Sequence, residues 1–367
     1  MTADSWDLLI RRHDFRQRRI APGADAGAPL APRQVRVRVD RFALTANNVT
    51  YAVVGEQVGY WRFFPAPEGW GRAPVWGFAQ VTESAHPEVA AGERLYGYWP
   101  MSTHAVITVG RLTPGALTED SEHRRALPGA YNHYIRTAAD PAHRAGGEDA
   151  TALLRPLFTT SFLLDDQLAD AAFHGAEAVL LTSASSKTAL GLAWLLHARR
   201  DRPRVVGLTS AGNRPFVEGL ALYDQVLTYD DLSALDALAS AVAVDFAGRD
   251  ALTAEVHRRL GDRLKLSLKV GVTHWEADRG GAAPEHGPAP AWFFAPDRMK
   301  ARSAEWGRDG FAARLGEAWN AFIPSTAAWL RTTYVDGPEA LDAAFGRFLE
   351  GAADPAEGVI ARPAGAA

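Results

Sequence analysis

Ala178-Val179-Leu180-Leu181-Thr182-Ser183-Ala184-Ser185-Ser186-Lys187-Thr188-Ala189-Leu190-Gly191-Leu192-Ala193 joins an apolar run, a cluster of small polar residues and a second apolar run. Its opening apolar run predicts a short buried strand, and the small polar residues after it a tight turn. Leu190, Leu192, Ala193, Leu195 and Leu196 then predict a helix that needs a sheet to cover. A strand, turn and helix in that order aim the unpaired N–H groups of the helix start beyond the sheet edge, which favours an anion, most often a phosphate. The glycines usual in such a turn are missing, so Ser183, Ser185, Ser186, Lys187 and Thr188 become the candidate phosphate contacts. Their hydroxyls and the lysine charge replace bare backbone.

Outward from this stretch the chain alternates single strands with Ala/Leu-rich helical segments. Residues 153–172 read as a helix, and 204–208, 225–229, 241–246 and 264–270 as further strands. That alternation predicts βαβ units and a parallel, doubly wound sheet. N-terminal to it, 35–42 alternates apolar and polar residues strictly. Short strand candidates recur at 75–83, 94–99 and 104–109, with Gly and Pro punctuation, which predicts a small β body. The tail from Arg298 carries two or three helices and ends in a strand at 358–362 that returns to the β body. The expected division is therefore α/β, with residues 1–148 and 299–367 forming a β-rich substrate domain and 149–298 a nucleotide domain.

Composition narrows the function. The 367 residues are 47% hydrophobic and carry a net charge of −4, with no stripe of Lys and Arg, so a small molecule is the expected partner and nucleic acid is not. No cysteine is present, which excludes a disulfide framework, a thiolate nucleophile and a zinc site with sulfur ligands. Met1–Asp7 lack the basic and apolar regions of a signal peptide, and no apolar run approaches the ~20 residues that span a bilayer. No membrane partner and a cytoplasmic location are expected.

The order of local motifs resembles the medium-chain dehydrogenase/reductase superfamily, in its zinc-free quinone and enoyl reductase branch, as a divergent bacterial family within it. Thr45-Ala46-Asn47-Asn48-Val49-Thr50-Tyr51-Ala52-Val53-Val54-Gly55 is similar to the active-site loop. Ala91-Gly92-Glu93-Arg94-Leu95-Tyr96-Gly97 is similar to the family's Gly-Asp-Arg-Val turn, and Thr159-Thr160-Ser161-Phe162-Leu163-Leu164 to the segment entering the nucleotide domain. The resemblance implies a GroES-like β-rich domain joined to a Rossmann-like domain, no metal, and a homodimer. It also implies a zinc-independent, NADP(H)-dependent oxidoreductase that reduces a carbonyl or activated C=C. Tyr51 would donate to the substrate oxygen, and Asn47 or Asn48 would fix the nicotinamide or the substrate. Thr159 and Thr160 would set a hydroxyl against the nicotinamide.

The residues add detail of their own. An NAD site ends its second strand in Asp or Glu, whereas Thr209, Ser210, Asn213 and Arg214 offer hydroxyls, an amide and a guanidinium, which favours NADP. Gly271 and Thr273 lie at the end of a predicted central strand, where ligands of such sheets bind, and His274 there is a candidate proton donor. Aromatics between Tyr60 and Trp76 suit either an apolar cleft or a core. A P-loop is disfavoured because Leu181 and Ser186 stand where it requires glycine, and Ser183 and Ser185 lack the glycines of a hydrolase elbow. The competing functional reading is a dehydrogenase-like scaffold that has lost hydride transfer and performs non-redox carbonyl chemistry, such as C–C cleavage, or only binds a ligand.

Overall fold

The computed structural model describes residues 5–140, 143–270 and 284–365. The chain forms two compact units. One runs to Leu153 and resumes over Arg331–Ala353 and from Glu357; the other comprises Leu154–Leu330 and Asp354–Ala356.

The first unit opens with a hairpin, β1 (Trp6–Arg11) and β2 (Asp14–Pro22), followed by the long β3 (Gln34–Leu44). Helices α1 (Ala46–Val53) and α2 (Gly55–Val58) come next, then a two-residue β4 (Trp70–Gly71) that pairs with β1. The body is completed by β5 (Pro74–Ser84), β6 (Arg94–Pro100), β7 (His104–Leu112), β8 (Ala116–Glu119) and β9 (His133–Arg136). Alternation in β3 does what the period-two pattern predicts: Val35, Val37 and Val39 are fully buried. Neighbours run β3-β5-β6-β9-β8-β7, and β7 pairs back onto β3, closing a barrel. Closure gives each of these strands two partners, so none is left as an open edge for another chain.

The second unit is built on α3 (Glu148–Asp170), β10 (Ala178–Thr182), α4 (Lys187–His197), β11 (Arg204–Thr209), α5 (Arg214–Gly219) and β12 (Gln225–Thr228). It continues through β13 (Ala241–Asp245), α6 (Asp250–Leu260), β14 (Leu264–Lys269), β15 (Ala291–Trp292) and α7 (Ala295–Thr326). The strands are parallel in the order β12-β11-β10-β13-β14-β15. This is a doubly wound, Rossmann-like sheet whose direction of winding reverses at β10. All five residues of β10 are buried, because β11 and β13 flank it and apolar layers cover both faces. On one face Leu163, Leu192 and Leu196 meet Val179 and Val205; on the other Leu235, Leu252 and Val256 meet Leu180 and Val206.

The tail departs from the sequence reading. Residues 299–330 pack with the parallel sheet and not with the β-rich unit. Phe311 joins the core of Leu163 and Val205, and Phe322 stacks on Phe158 with ring centroids 4.5 Å apart. Apolar spacing shows that a helix has a buried face but not which sheet receives it. The chain then returns to the first unit as β16 (Arg331–Asp336), α8 (Gly337–Leu349) and β17 (Glu357–Arg362). The strand expected at 358–362 is β17, antiparallel to the last residues of β3, and the unforeseen β16 lies parallel outside it.

Candidate functional site

Thr182 ends β10 and joins it to β13: its Oγ1 donates to Asp245 Oδ1 at 2.5 Å and accepts from the Phe246 N–H at 2.9 Å. The Asp245 carboxylate accepts from the N–H groups of Ala247 and Gly248, and burial raises its pKa. Sequence reading missed Asp245; a lone acid closing the apolar run 241–244 was the available signal.

Ser183 follows with φ +48°, in the left-handed region where glycine is at home. For a side-chain-bearing residue this costs about 1–2 kcal/mol. Two phenols hold it there. The Ser183 N–H donates to Tyr229 Oη at 3.2 Å, and Tyr223 Oη donates to the Ala184 carbonyl at 2.7 Å. Two hydrogen bonds of about 1 kcal/mol each are enough to offset the strain. The Ser186 N–H then closes the turn on the Ser183 carbonyl at 2.7 Å, and Ser186 Oγ caps α4 by accepting from Ala189. The glycine missing from the turn reappears one turn into the helix. A Cβ on Gly191 would lie 2.7 Å from Ser161 Oγ, which itself donates to the Thr188 carbonyl at 2.7 Å. Backbones of α3 and α4 thereby approach closely.

Among the described residues, the N–H groups of Ser185 and Thr188 meet no acceptor. Ser185 Oγ accepts from Asn213 Nδ2 at 3.0 Å, so two residues expected at one nucleotide site do meet. Thr209, last in β11, is buried, and its Oγ1 has no hydrogen-bond partner among the described residues. A buried orphan hydroxyl at a sheet's carboxyl edge is what a ribose or phosphate oxygen would complete. The Ser210 carbonyl accepts the N–H groups of Asn213 and Arg214, which starts α5. Lys187 Nζ donates to the Pro355 carbonyl at 3.2 Å.

Other expected contacts are engaged elsewhere. Arg214 Nε is 2.7 Å from Glu218 Oε1, with both side chains about half exposed (50% and 48%), and it borders a cavity of about 540 Å3 along the outer edge of β12. Thr159 and Thr160 lie inside α3 and donate to the carbonyls of Arg155 and Pro156. Gly271, Thr273 and His274 lie outside the described residues.

In the first unit Asn48 differs from expectation. Its Oδ1 accepts from the Thr45 N–H at 2.7 Å and its Nδ2 donates to the Pro74 carbonyl at 3.0 Å, so both ends of the buried amide fasten backbone.

Tyr51 sits in an aromatic cluster with Tyr60, Phe63, Phe64, Tyr98 and Tyr131. Its Oη accepts from Trp76 Nε1 at 3.2 Å; Tyr60 and Tyr131 share a hydrogen bond of 3.0 Å. The Tyr98 hydroxyl, fully buried, has no partner among the described residues. Burial raises the pKa of all four phenols. Beneath them Arg124, also buried, donates to Asn132, to Tyr134 Oη and to the Tyr131 carbonyl, faces the rings of Phe63 and Phe64, and lies 3.3 Å from Glu119. Neither Tyr98 nor Arg124 was singled out by sequence. No group of three His, Cys, Asp or Glu placed to hold a metal occurs among the described residues, and no described helix is long and apolar enough to cross a membrane.

A family model described as "Protein of unknown function (DUF2855)" matches residues 42–354. The chain belongs to the DUF2855 family. Comparison with curated proteins gives no match. Among solved structures this DUF2855 chain is similar to a Mesorhizobium loti protein assigned as an NADPH:quinone reductase, at 14% identity over 99% of each chain with a TM-score of 0.63. It is also similar to CurA from Vibrio vulnificus in complex with NADPH, at 15% identity over 94% of each chain with a TM-score of 0.59. A third likeness is to the yhdH oxidoreductase from Salmonella enterica in complex with NADP, at 13% identity over 97% of this chain and 99% of that one, TM-score 0.55. The likenesses establish the fold of the DUF2855 chain, a GroES-like β-rich unit with a Rossmann-like one.

Proposed function

We propose that the chain is an NADP(H)-dependent oxidoreductase that reduces a carbonyl or activated C=C of a small organic substrate without zinc. The observation that carries this reading is the carboxyl edge of the parallel sheet. There the N–H groups of Ser185 and Thr188, which meet no acceptor among the described residues, follow β10, the strand where the winding reverses, and Thr209, whose hydroxyl has no partner among the described residues, ends the neighbouring β11. These groups fit a dinucleotide: N–H groups for the pyrophosphate, hydroxyls for the adenosine ribose. No acid stands at the end of β11 to oppose a 2′-phosphate. NADPH in CurA and NADP in the yhdH oxidoreductase support the choice of cofactor.

In this reading the Rossmann-like unit holds the cofactor through Ser183, Ser185, Ser186, Thr188, Thr209, Ser210 and Asn213, and the β-rich unit handles substrate. Bound NADPH supplies a hydride to the electrophilic carbon. The chain's own contribution is a donor for the oxygen that gains charge, Tyr51 Oη. Burial keeps its proton on at neutral pH, and the N–H of Trp76 occupies a lone pair of its oxygen. Asn48, whose amide fastens backbone, is a positioning residue.

Turnover tests the reading. Purified protein mixed with NADPH and a panel of quinones and α,β-unsaturated carbonyls is expected to oxidise NADPH, and Tyr51→Phe to lower kcat by about a hundredfold or more. A Tyr51→Phe rate equal to wild type would remove Tyr51 from the chemistry. One observation favours the second reading, a scaffold without hydride transfer: the Ser183 N–H and the Ala184 carbonyl are already bonded to Tyr229 and Tyr223. That reading predicts that no acceptor leads the protein to oxidise NADPH.

A further inference from the structure

Arg249 follows β13 and immediately precedes α6, at the same carboxyl edge of the sheet as the Ser183 turn. Its guanidinium lies 5.3 Å from the ring centroid of Tyr229. No carboxylate among the described residues is within ion-pairing distance of it. Arginines elsewhere in the same unit are neutralised: Arg199 by Asp165, Arg202 by Asp224, Arg214 by Glu218. Tyr229 is itself tied at both ends. Its backbone N–H donates to the Thr209 carbonyl at 2.9 Å and its hydroxyl accepts from Ser183 at 3.2 Å, so the ring extends from the end of β11 to the end of β10. Arg249 is thus held over a ring whose own backbone N–H is bonded to the end of β11.

A cation–π contact orients a guanidinium without cancelling its charge, whereas an ion pair cancels it. An oriented guanidinium with no carboxylate partner among the described residues, at the same sheet edge as the turn after β10, is suited to a phosphate monoester, whose dianion takes a forked donor. Arg214, the cation that sequence pointed to, is half exposed and paired, so water and Glu218 weaken its field.

We propose that Arg249 is the residue that reads the adenosine 2′-phosphate of the cofactor, with Tyr229 as its positioning residue. The assignment rests on the NADP(H) reading above, and it gives the preference for NADPH over NADH to the loop after β13 instead of the loop after β11.

Titration of the full-length protein with NADPH, NADH and 2′,5′-ADP, followed by protein fluorescence, tests it. Arg249→Gln is expected to weaken NADPH and 2′,5′-ADP by about ten- to hundredfold while NADH changes by less than about twofold. Arg249→Lys is expected to recover part of the loss, and Arg214→Gln to leave the NADPH:NADH ratio unchanged. Tyr229→Leu, which removes the ring, is expected to lower that ratio, whereas Tyr229→Phe keeps it. Unchanged melting temperatures for the Arg249 variants identify the losses as binding effects. Equal weakening of NADPH and NADH by Arg249→Gln would make Arg249 a pyrophosphate contact and overturn the proposal. So would an unaltered NADPH affinity, or a preference abolished by Arg214→Gln. Wild-type protein that prefers NADPH while Arg249→Gln keeps the preference rejects this assignment alone. Wild-type protein that binds neither nicotinamide rejects the oxidoreductase reading with it.

Discussion

Two groups of tyrosines do opposite things in this chain. In the Rossmann-like unit Tyr223 and Tyr229 direct their hydroxyls at backbone, one donating to the Ala184 carbonyl and the other accepting from the Ser183 N–H. In the β-rich unit Tyr51, Tyr60, Tyr98 and Tyr131 gather their rings, with Tyr51–Tyr60 centroids at 4.6 Å and Tyr98–Tyr131 at 4.7 Å, and leave the Tyr98 hydroxyl without a partner among the described residues. The first group fixes a backbone shape that glycine would otherwise permit. The second keeps phenolic protons in a dry setting where a carbonyl oxygen could use them. A tyrosine's worth to a site therefore depends on whether its hydroxyl is already committed to the main chain.

The largest expected effect breaks the second group and leaves the first alone. Arg124→Met removes the buried guanidinium that holds the Tyr131 carbonyl and leaves Glu119 buried with no cation. Breaking such a pair costs about 3–5 kcal/mol. Chemical denaturation should show a loss of that size, with NADPH affinity of the protein that remains folded unchanged; a loss under about 1 kcal/mol would mean the cluster does not depend on Arg124.

Alkaline pH probes both groups together. Burial raises the phenol pKa values of Tyr51, Tyr60, Tyr98 and Tyr131, and lifts Tyr229 to about 12. A raised pKa means that the unfolded chain gives up protons first. The stabilisation is complete below the unfolded tyrosine value of about 10 and is lost as pH climbs through the folded values, at about 1.4 kcal/mol per unit for each phenol. Tyrosinate absorbance should rise together with loss of near-ultraviolet circular dichroism. Ionisation of these phenols near pH 10 in a still-folded protein would contradict the burial argument.

Smaller effects test the turn. Tyr229→Phe should cost about 1 kcal/mol, because the Ser183 N–H loses its acceptor. Ser183→Gly should do the reverse. It relieves the strain at φ +48°, partly offset by the freedom glycine gains when unfolded, for a net gain of about 0.5 kcal/mol. In a Tyr229→Phe background the glycine should gain more than the about 0.5 kcal/mol it gains in the wild-type background, since both changes act on one peptide. Additive effects of the two would mean that the phenol and the strain are unrelated.

Most of the fold was legible from local pattern. The unbroken apolar run at 178–181 announced a central strand, and β10 is buried throughout because strands flank it on both sides. The alternation at 35–42 announced a one-faced strand, and β3 is the strand on which the barrel closes. What local pattern could not carry was partner choice. The helix at 295–326 has an apolar face, but that Phe311 meets Leu163 is a fact about sequence separation of about 150 residues.

The candidate site divides in the same way. Ser185 and Asn213 do meet, at 3.0 Å, because turns at adjacent strand ends are neighbours in any sheet of this order. Asn48 and Arg214 were chosen by residue type, yet each is committed to a partner within four residues, Thr45 and Glu218. Arg249, Tyr229 and Tyr98 were passed over since nothing adjacent in the sequence marks them. Their surroundings come from distant strands.

An NADP(H) site in the Rossmann-like unit stands or falls on calorimetric titration of the wild-type protein with NADPH and then NADH. One site per chain, micromolar affinity for NADPH and weaker binding of NADH are expected. Absence of heat with either nucleotide at millimolar concentration would contradict it, and would mean that the Ser183 turn keeps the shape of a dinucleotide site without its ligand.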